Sequence, residues 1–238
     1  MMNNAPELMI SPKVAVRLSG TGGQGLLLAG RILAEAAAIF DGLNVAQTNS
    51  YGPEARGGAS RSEVVISLGE VDDLRCRKFD VLVCLSQKAC DAYFSSLAEN
   101  GVLIVDSTNV TVVPTSRAIE VPMTWIAVEE CHNVMVTNMI ALGVLCGCTD
   151  LVTFDALISA VKSTLRPDLV QINEQALQLG WAAGQNIYQI MPEKRRPNLM
   201  GYRVVRPSDP KKTGADSHSR KSAPQKRTVG AKAASGGN

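Results

Sequence analysis

Histidine is nearly absent, with only His132 and His218 among 238 residues. A His-based metal site or a Ser-His-Asp triad therefore has almost no material to draw on. The six cysteines, Cys76, Cys84, Cys90, Cys131, Cys146 and Cys148, include no Cys-x2-Cys repeat of the ferredoxin type. Cys146-Gly-Cys148 is the one close pair, and its apolar surroundings favour buried small hydrophobes over cluster ligands. No apolar run reaches the roughly 20 residues that span a bilayer, so no membrane partner is expected. The chain does not open with a basic segment followed by an apolar one. No secretory signal is expected, and the cysteines read as free thiols of a cytoplasmic protein. Charged residues make up 19% and hydrophobic residues 45%, which excludes disorder of the whole chain and supplies a core.

The near-neutral total charge hides an asymmetry. Residues 1–192 carry 12 Lys/Arg and 19 Asp/Glu, a net of −7, whereas residues 193–238 carry 12 and 3, a net of +9. The expectation is a globular domain over 1–192 and a basic, low-complexity tail over 193–238, disordered from Pro207 because it cannot bury enough apolar surface. For the tail, a solvated extension is favoured over contact with nucleic acid, with an acidic ferredoxin surface or with another subunit. No aromatic residue beyond Tyr202 is available there for base stacking.

Within the domain, Lys13 to Leu18 alternates and is β-branched, which predicts a strand. A glycine-rich turn follows, then an Ala/Leu-rich helix over Leu26 to Phe40. Further strands are expected at Asn44–Thr48, Glu63–Leu68, Asp80–Leu85 and Val102–Asp106, with a helix over Cys90–Glu99. Ala118–Pro122 and Trp125–Val128 read as short strands or extended connections. Helices are expected over Asn133–Cys146, Thr153–Thr164 and Gln171–Ile190, the second capped by Thr153 with Asp155 in its first turn. Strand, glycine turn and helix open a doubly wound α/β domain. The predicted class is a Rossmann-like, mostly parallel sheet with helices on both faces and a disordered C-terminal tail.

Two motifs carry chemistry. Gly20-Thr21-Gly22-Gly23-Gln24-Gly25 satisfies G-x-G-x-x-G with an extra glycine, and Gln24 could donate a side-chain hydrogen bond to a ligand. The turn reads as a phosphate site at a helix N-terminus, ahead of a purely structural turn. An NAD site would place an acid at the end of the second strand. That strand ends Val45-Ala46-Gln47-Thr48-Asn49, so a different diphosphate ligand fits better than NAD. A stand-alone nucleotide-binding regulator or NAD(P) enzyme remains the rival reading. The second motif, Asn49 to Ser62, combines Ser50, Tyr51, a Gly-Pro turn, Arg56, Gly57-Gly58 and Ser60. It reads as a ligand or subunit contact, against a solvated loop in which Glu54 pairs with Arg56 or Arg61.

Together, GTGGQGLLLAGRILAEAA and VAQTNSYGPEARGGASRSEVVIS resemble the γ subunit of the 2-oxoacid:ferredoxin oxidoreductases, over about residues 13 to 190. The loop is most similar to the 2-oxoglutarate branch; a pyruvate or branched-chain 2-oxoacid is the alternative. The resemblance implies a subunit with no catalytic residues or metal of its own, working with α and β chains, and in some relatives a δ chain. Thiamine diphosphate and iron–sulfur clusters would sit in those partners, with ferredoxin as electron acceptor. It further implies a shared coenzyme A site. Gly20, Thr21, Gly22, Gly23, Gln24 and Gly25 would meet the CoA phosphates. Ser50, Tyr51, Arg56, Gly57, Gly58 and Ser60 would line the channel or contact the α chain.

Overall fold

Short runs of valine, isoleucine and leucine set the sheet. The computed structural model describes residues 13–50, 59–69, 71 and 76–191. Among them are six strands: β1 (Lys13–Thr21), β2 (Asn44–Ser50), β3 (Ala59–Ser67), β4 (Phe79–Cys84), β5 (Leu97–Asp106) and β6 (Ile119–Val121). Their order is β2-β3-β1-β4-β5-β6. Strands β1, β4, β5 and β6 pair in parallel, while β3 runs antiparallel to both β1 and β2. Five of the six strands therefore point the same way, and the mostly parallel α/β sheet is present. The single reversal goes with the short connection between β2 and β3, eight residues, fewer than the dozen or so that a parallel crossover needs.

The helices are α1 (Leu26–Glu35), α2 (Gln87–Tyr93), α3 (Met123–Glu129), α4 (Thr137–Thr149), α5 (Phe154–Thr164) and α6 (Pro167–Ile190). They cover the two faces unequally. Val14, Val16, Leu18, Val64, Ile66, Val81, Val83 and Ile104 share one core with buried residues of α1, α3, α4, α5 and α6. On the opposite face Leu82, Cys84, Leu103 and Val105 pack with Cys90 of α2 and with Val110, Val113 and Ala118 of the segment after β5, so α2 is the one helix of that cluster. The alternation of each strand decides which side chains face which layer.

Several boundaries differ from the sequence reading; the first helix, for example, ends at Glu35 and continues as a π-helical turn over Ala36–Phe40. The helix expected over Cys90–Glu99 starts earlier, at Gln87, because Ser86 caps it by accepting the Ala89 N–H at 3.3 Å. It gives way by Leu97, and residues 97–99 belong to β5. Trp125–Val128 is helical rather than extended, because Met123 and Ala127, one turn apart, are both buried against the core. The last helix begins at Pro167, a proline at its first position, rather than at Gln171. A 3-10 turn over Val134–Val136 precedes α4, so the helix expected from Asn133 starts at Thr137.

Residues 137–148 of α4 are all buried. The helix packs against α6 through four glycines. A Cβ on Gly143 would lie 2.3 Å from the Leu177 carbonyl oxygen, and one on Gly180 would lie 2.1 Å from that of Ile140. Gly147 and Gly184 repeat the close approach one turn on, so the two backbones touch where side chains would normally separate them. No helix among the described residues is long and apolar enough to cross a membrane. The expected basic tail lies outside the described residues, as do Tyr51, Arg56, Gly57 and Gly58.

Candidate functional site

The chain leaves β1 by way of α1 toward β2 and β3, then returns to place β4 on the other side of β1. The carboxyl ends of β1 and β4 therefore flank the point where strand order reverses, the place where open α/β sheets bind ligands. The glycine turn sits there. Leu85, just after β4, donates its N–H to the Ser19 carbonyl at 2.8 Å, tying the two strand ends together.

Within the turn the glycines divide into two kinds. A Cβ on Gly20 would lie 2.3 Å from Gln24 Oε1, and one on Gly25 would lie 2.4 Å from Asn138 Nδ2. Those spaces are occupied by protein. Gly22 and Gly23 are exposed, and a Cβ on either would meet nothing within 4 Å. Gly23 (φ 94°) and Gly25 (φ 69°) hold left-handed conformations that glycine adopts without a Cβ penalty. The helix behind the turn has no side-chain cap and no acidic residue in its first turn. Its unpaired N–H groups and partial positive charge are left for an anion, so the open Gly22-Gly23 corner fits a phosphate.

Gln24 is placed differently from the expectation. Its Oε1 accepts the Thr21 N–H at 2.7 Å, and its Nε2 donates to the Leu85 carbonyl at 3.3 Å. The side chain holds the turn closed and joins it to the loop after β4, rather than reaching out to a ligand. It can do so because Gly20 leaves room for its amide oxygen. Ser60 also departs from a channel-lining role: it lies within β3 opposite Gly20 and is 6% exposed. Residues 60, 62, 64 and 66 alternate toward α1, and this side of β3 is packed. Ser50 is the half-buried last residue of β2, paired with Arg61. Because Ala59 pairs with Thr21, the described ends of β2 and β3 lie at the same sheet edge as the turn.

Sequence reasoning passed over Asn138 as a site residue. It is 3% exposed, near the start of α4, and donates to the Gly25 carbonyl at 3.0 Å across 113 residues of sequence. Its signal was an amide inside the apolar run TNMIALGVL, since a buried amide needs a partner. The end of β2 carries amides in place of an acid. Ser62 Oγ donates to Asn49 Oδ1 at 2.7 Å, and Gln47 Nε2 donates to Ser62 Oγ at 3.1 Å. These side chains are committed to packing β2 and β3 beneath α1.

On the thinly covered face, Arg17 is 8% exposed and its guanidinium sits 3.9 Å from the centre of the Phe79 ring. It donates to Glu63 Oε1 through NH2 at 2.7 Å and through Nε at 3.0 Å, and Arg61 adds a second ion pair to the same oxygen at 2.9 Å. Burial lowers the Arg17 pKa, opposed by the nearby Glu63 carboxylate. This cluster pins β1 to β3, although Arg61 Nε is buried beside the carboxylate without hydrogen-bond geometry. Among the described residues no three His, Cys, Asp or Glu side chains are grouped to hold a metal ion. The six cysteines are free, and burial pushes the Cys148 thiol up to about 12. A cleft of about 310 Å³ lined by Leu97, Glu99, Gly101 and Arg117 lies at the start of β5, the opposite sheet edge from the glycine turn.

Comparison with known proteins agrees with this geometry. The KorC subunit of 2-oxoglutarate synthase from Methanocaldococcus jannaschii is 41% identical over 179 residues, which cover 72% of this chain and 94% of KorC. The VorA subunit of ketoisovalerate oxidoreductase from Methanothermobacter thermautotrophicus is 34% identical over 72% of this chain, a match that spans 37% of VorA. The crystal structure of a keto/oxoacid ferredoxin oxidoreductase γ subunit from Geobacter sulfurreducens superposes with a TM-score of 0.68 at 41% identity, covering 73% of this chain and 97% of that one. Residues 15–183 match the family described as pyruvate ferredoxin/flavodoxin oxidoreductase, and the chain belongs to that family.

Proposed function

We propose that the chain is the γ subunit of a cytoplasmic 2-oxoglutarate:ferredoxin oxidoreductase, which converts 2-oxoglutarate and coenzyme A to succinyl-CoA and carbon dioxide and passes the electrons to ferredoxin. Domain 1–192 does this work, and the basic segment 193–238 is a solvated extension. The observation that carries the reading is the likeness to KorC over nearly all of KorC's length. In the complex, thiamine diphosphate in the partner subunits supplies the electron sink for decarboxylation, and their iron–sulfur clusters supply the path to ferredoxin.

This chain's residues bind and orient coenzyme A. Gly22 and Gly23 let the CoA phosphates approach the backbone closely, and the free N–H groups at the start of α1 receive their charge. Gln24 and Asn138 fix the shape of the turn from behind. Ser50, with Tyr51, Arg56, Gly57 and Gly58, serves the channel between coenzyme A and the reacting centre or the contact with the α chain.

The test is turnover by the complex assembled with its partner subunits, offered 2-oxoglutarate, pyruvate and 3-methyl-2-oxobutanoate with coenzyme A and ferredoxin. CoA-dependent ferredoxin reduction should be fastest with 2-oxoglutarate. The likeness to VorA supports the branched-chain acid as second reading. Turnover by the isolated chain, or tight NAD(P)H binding to it, would contradict the subunit reading.

A further inference from the structure

Eleven large hydrophobic side chains are exposed among the described residues, and five of them lie in segments that follow β5 and β6, at the carboxyl end of the parallel strands, where the glycine turn follows β1. Val112 is held there through Gln87, whose Oε1 accepts the Val112 N–H at 3.0 Å at the start of α2. Trp125 donates its backbone N–H to Thr108 Oγ1 at 3.2 Å, just beyond the end of β5. Because Met123 and Ala127 turn inward, Trp125 and Val128 share the outer side of α3. Asn133 then donates its N–H to the Ala127 carbonyl at 3.0 Å, which folds the next turn back along α3 and presents Val134 and Met135 beside it. Three residues later Asn138 grips Gly25. The segment that carries Val134 and Met135 thus runs into the residue that holds the glycine turn. The charges exposed on α3 and just after it are acidic, Glu129 and Glu130, while Lys88 is exposed beside Gln87.

Trp125 is 52% exposed and Met135 62%. Large apolar groups clustered on one side of a soluble fold, with an acidic fringe, fit a protein partner whose own contact face is apolar with basic side chains around it. The relatives say what that partner is. In VorA the segment like this chain makes up 37% of a longer polypeptide, so there the same domain is continuous with a second part larger than itself. We propose that the surface formed by Val112, Trp125, Val128, Val134 and Met135 docks the oxidoreductase subunit equivalent to the remainder of VorA, and that the docked subunit roofs the glycine turn. The inference rests on the subunit reading above and adds the face through which the subunit assembles.

The experiment uses the full-length chain, alone and in complex with that subunit. Hydrogen exchange across residues 123–136 should slow markedly on assembly, while the equally exposed Ile39 region should not change. Trp125→Asp and Met135→Asp should each weaken association about tenfold or more, as expected for anchors at an interface centre. Ile39→Asp should leave it unchanged, and circular dichroism should show all three variants folded. The acidic fringe predicts weaker association at high salt. A Trp125→Asp/Met135→Asp double variant that assembles like wild type would overturn the proposal. So would protection of 123–136 that already exists in the isolated chain, whether it depends on protein concentration (a second copy) or vanishes on deleting 193–238 (the chain's own tail). Binding of the subunit with 123–136 left unprotected sinks this surface alone. Failure of the subunit to bind the wild-type chain at all removes the subunit reading as well.

Discussion

Two sets of glycines in this chain do opposite things. Between α4 and α6, glycines 143, 147, 180 and 184 each leave a gap that a neighbouring backbone fills at 2.1 to 2.7 Å. At the turn after β1, Gly22 and Gly23 leave gaps that nothing fills within 4 Å. The first set is consumed by packing and the second is left open. Gly20 and Gly25, in the same turn as the open pair, belong with the packed set, so proximity in sequence does not define function. What a Cβ would meet does.

The largest effect should come from the packed set. Gly180→Val would drive a side chain into the Ile140 carbonyl, and overpacking of two touching backbones should cost about 3 kcal/mol or more, or abolish folding. Urea denaturation checks it; a normal midpoint would mean the helices can separate freely. Asn138→Leu should cost about 1 kcal/mol, because it removes the buried tie from α4 to the Gly25 carbonyl, which keeps only the Ala29 N–H. It should also raise the KM for coenzyme A in the assembled complex, with little change in the KM for the 2-oxoacid. A variant that loses stability but keeps its CoA affinity would show that the turn holds its shape without α4. Gly23→Val should cost about 1–3 kcal/mol for its positive φ and weaken CoA use as well.

The smallest effect concerns pH. Burial raises the Cys148 thiol to about 12 when folded, whereas in the unfolded chain it titrates near its ordinary value. Its contribution is therefore complete below that ordinary value and is lost as pH rises toward 12. Cys148→Ala should remove about 1 kcal/mol of the stability decline between pH 8 and pH 10. An unchanged slope would mean that this thiol ionises in the folded state.

Much of this was legible in the sequence. The β-branched runs located β1 to β5, the Thr153 cap placed α5, and the glycine spacing marked the turn between β1 and α1. The readings that failed did so where tertiary packing outweighs local pattern. Trp125 to Val128 has strand-like composition, yet burial of Met123 and Ala127 makes it a helix. Ser60 reads as loop because β3 opens with polar residues, and only pairing with Gly20 shows that it is covered. Gln24 reads as a ligand donor until the missing Cβ of Gly20 is seen to give its amide a place inside. Asn138 could have been suspected as an amide in an apolar helix, but its partner lies 113 residues away.

Gly22 allows the sharpest separation of folding from binding. It is exposed, a Cβ there meets nothing within 4 Å, and it is not among the glycines with positive φ. The steady-state KM for coenzyme A should therefore be measured for Gly22→Val in the assembled oxidoreductase, alongside its denaturation midpoint. The account predicts stability within about 0.5 kcal/mol of wild type, as for surface substitutions. It also predicts a KM raised about tenfold or more from displaced phosphate hydrogen bonds. A folded, assembled variant with the wild-type KM for coenzyme A would contradict it.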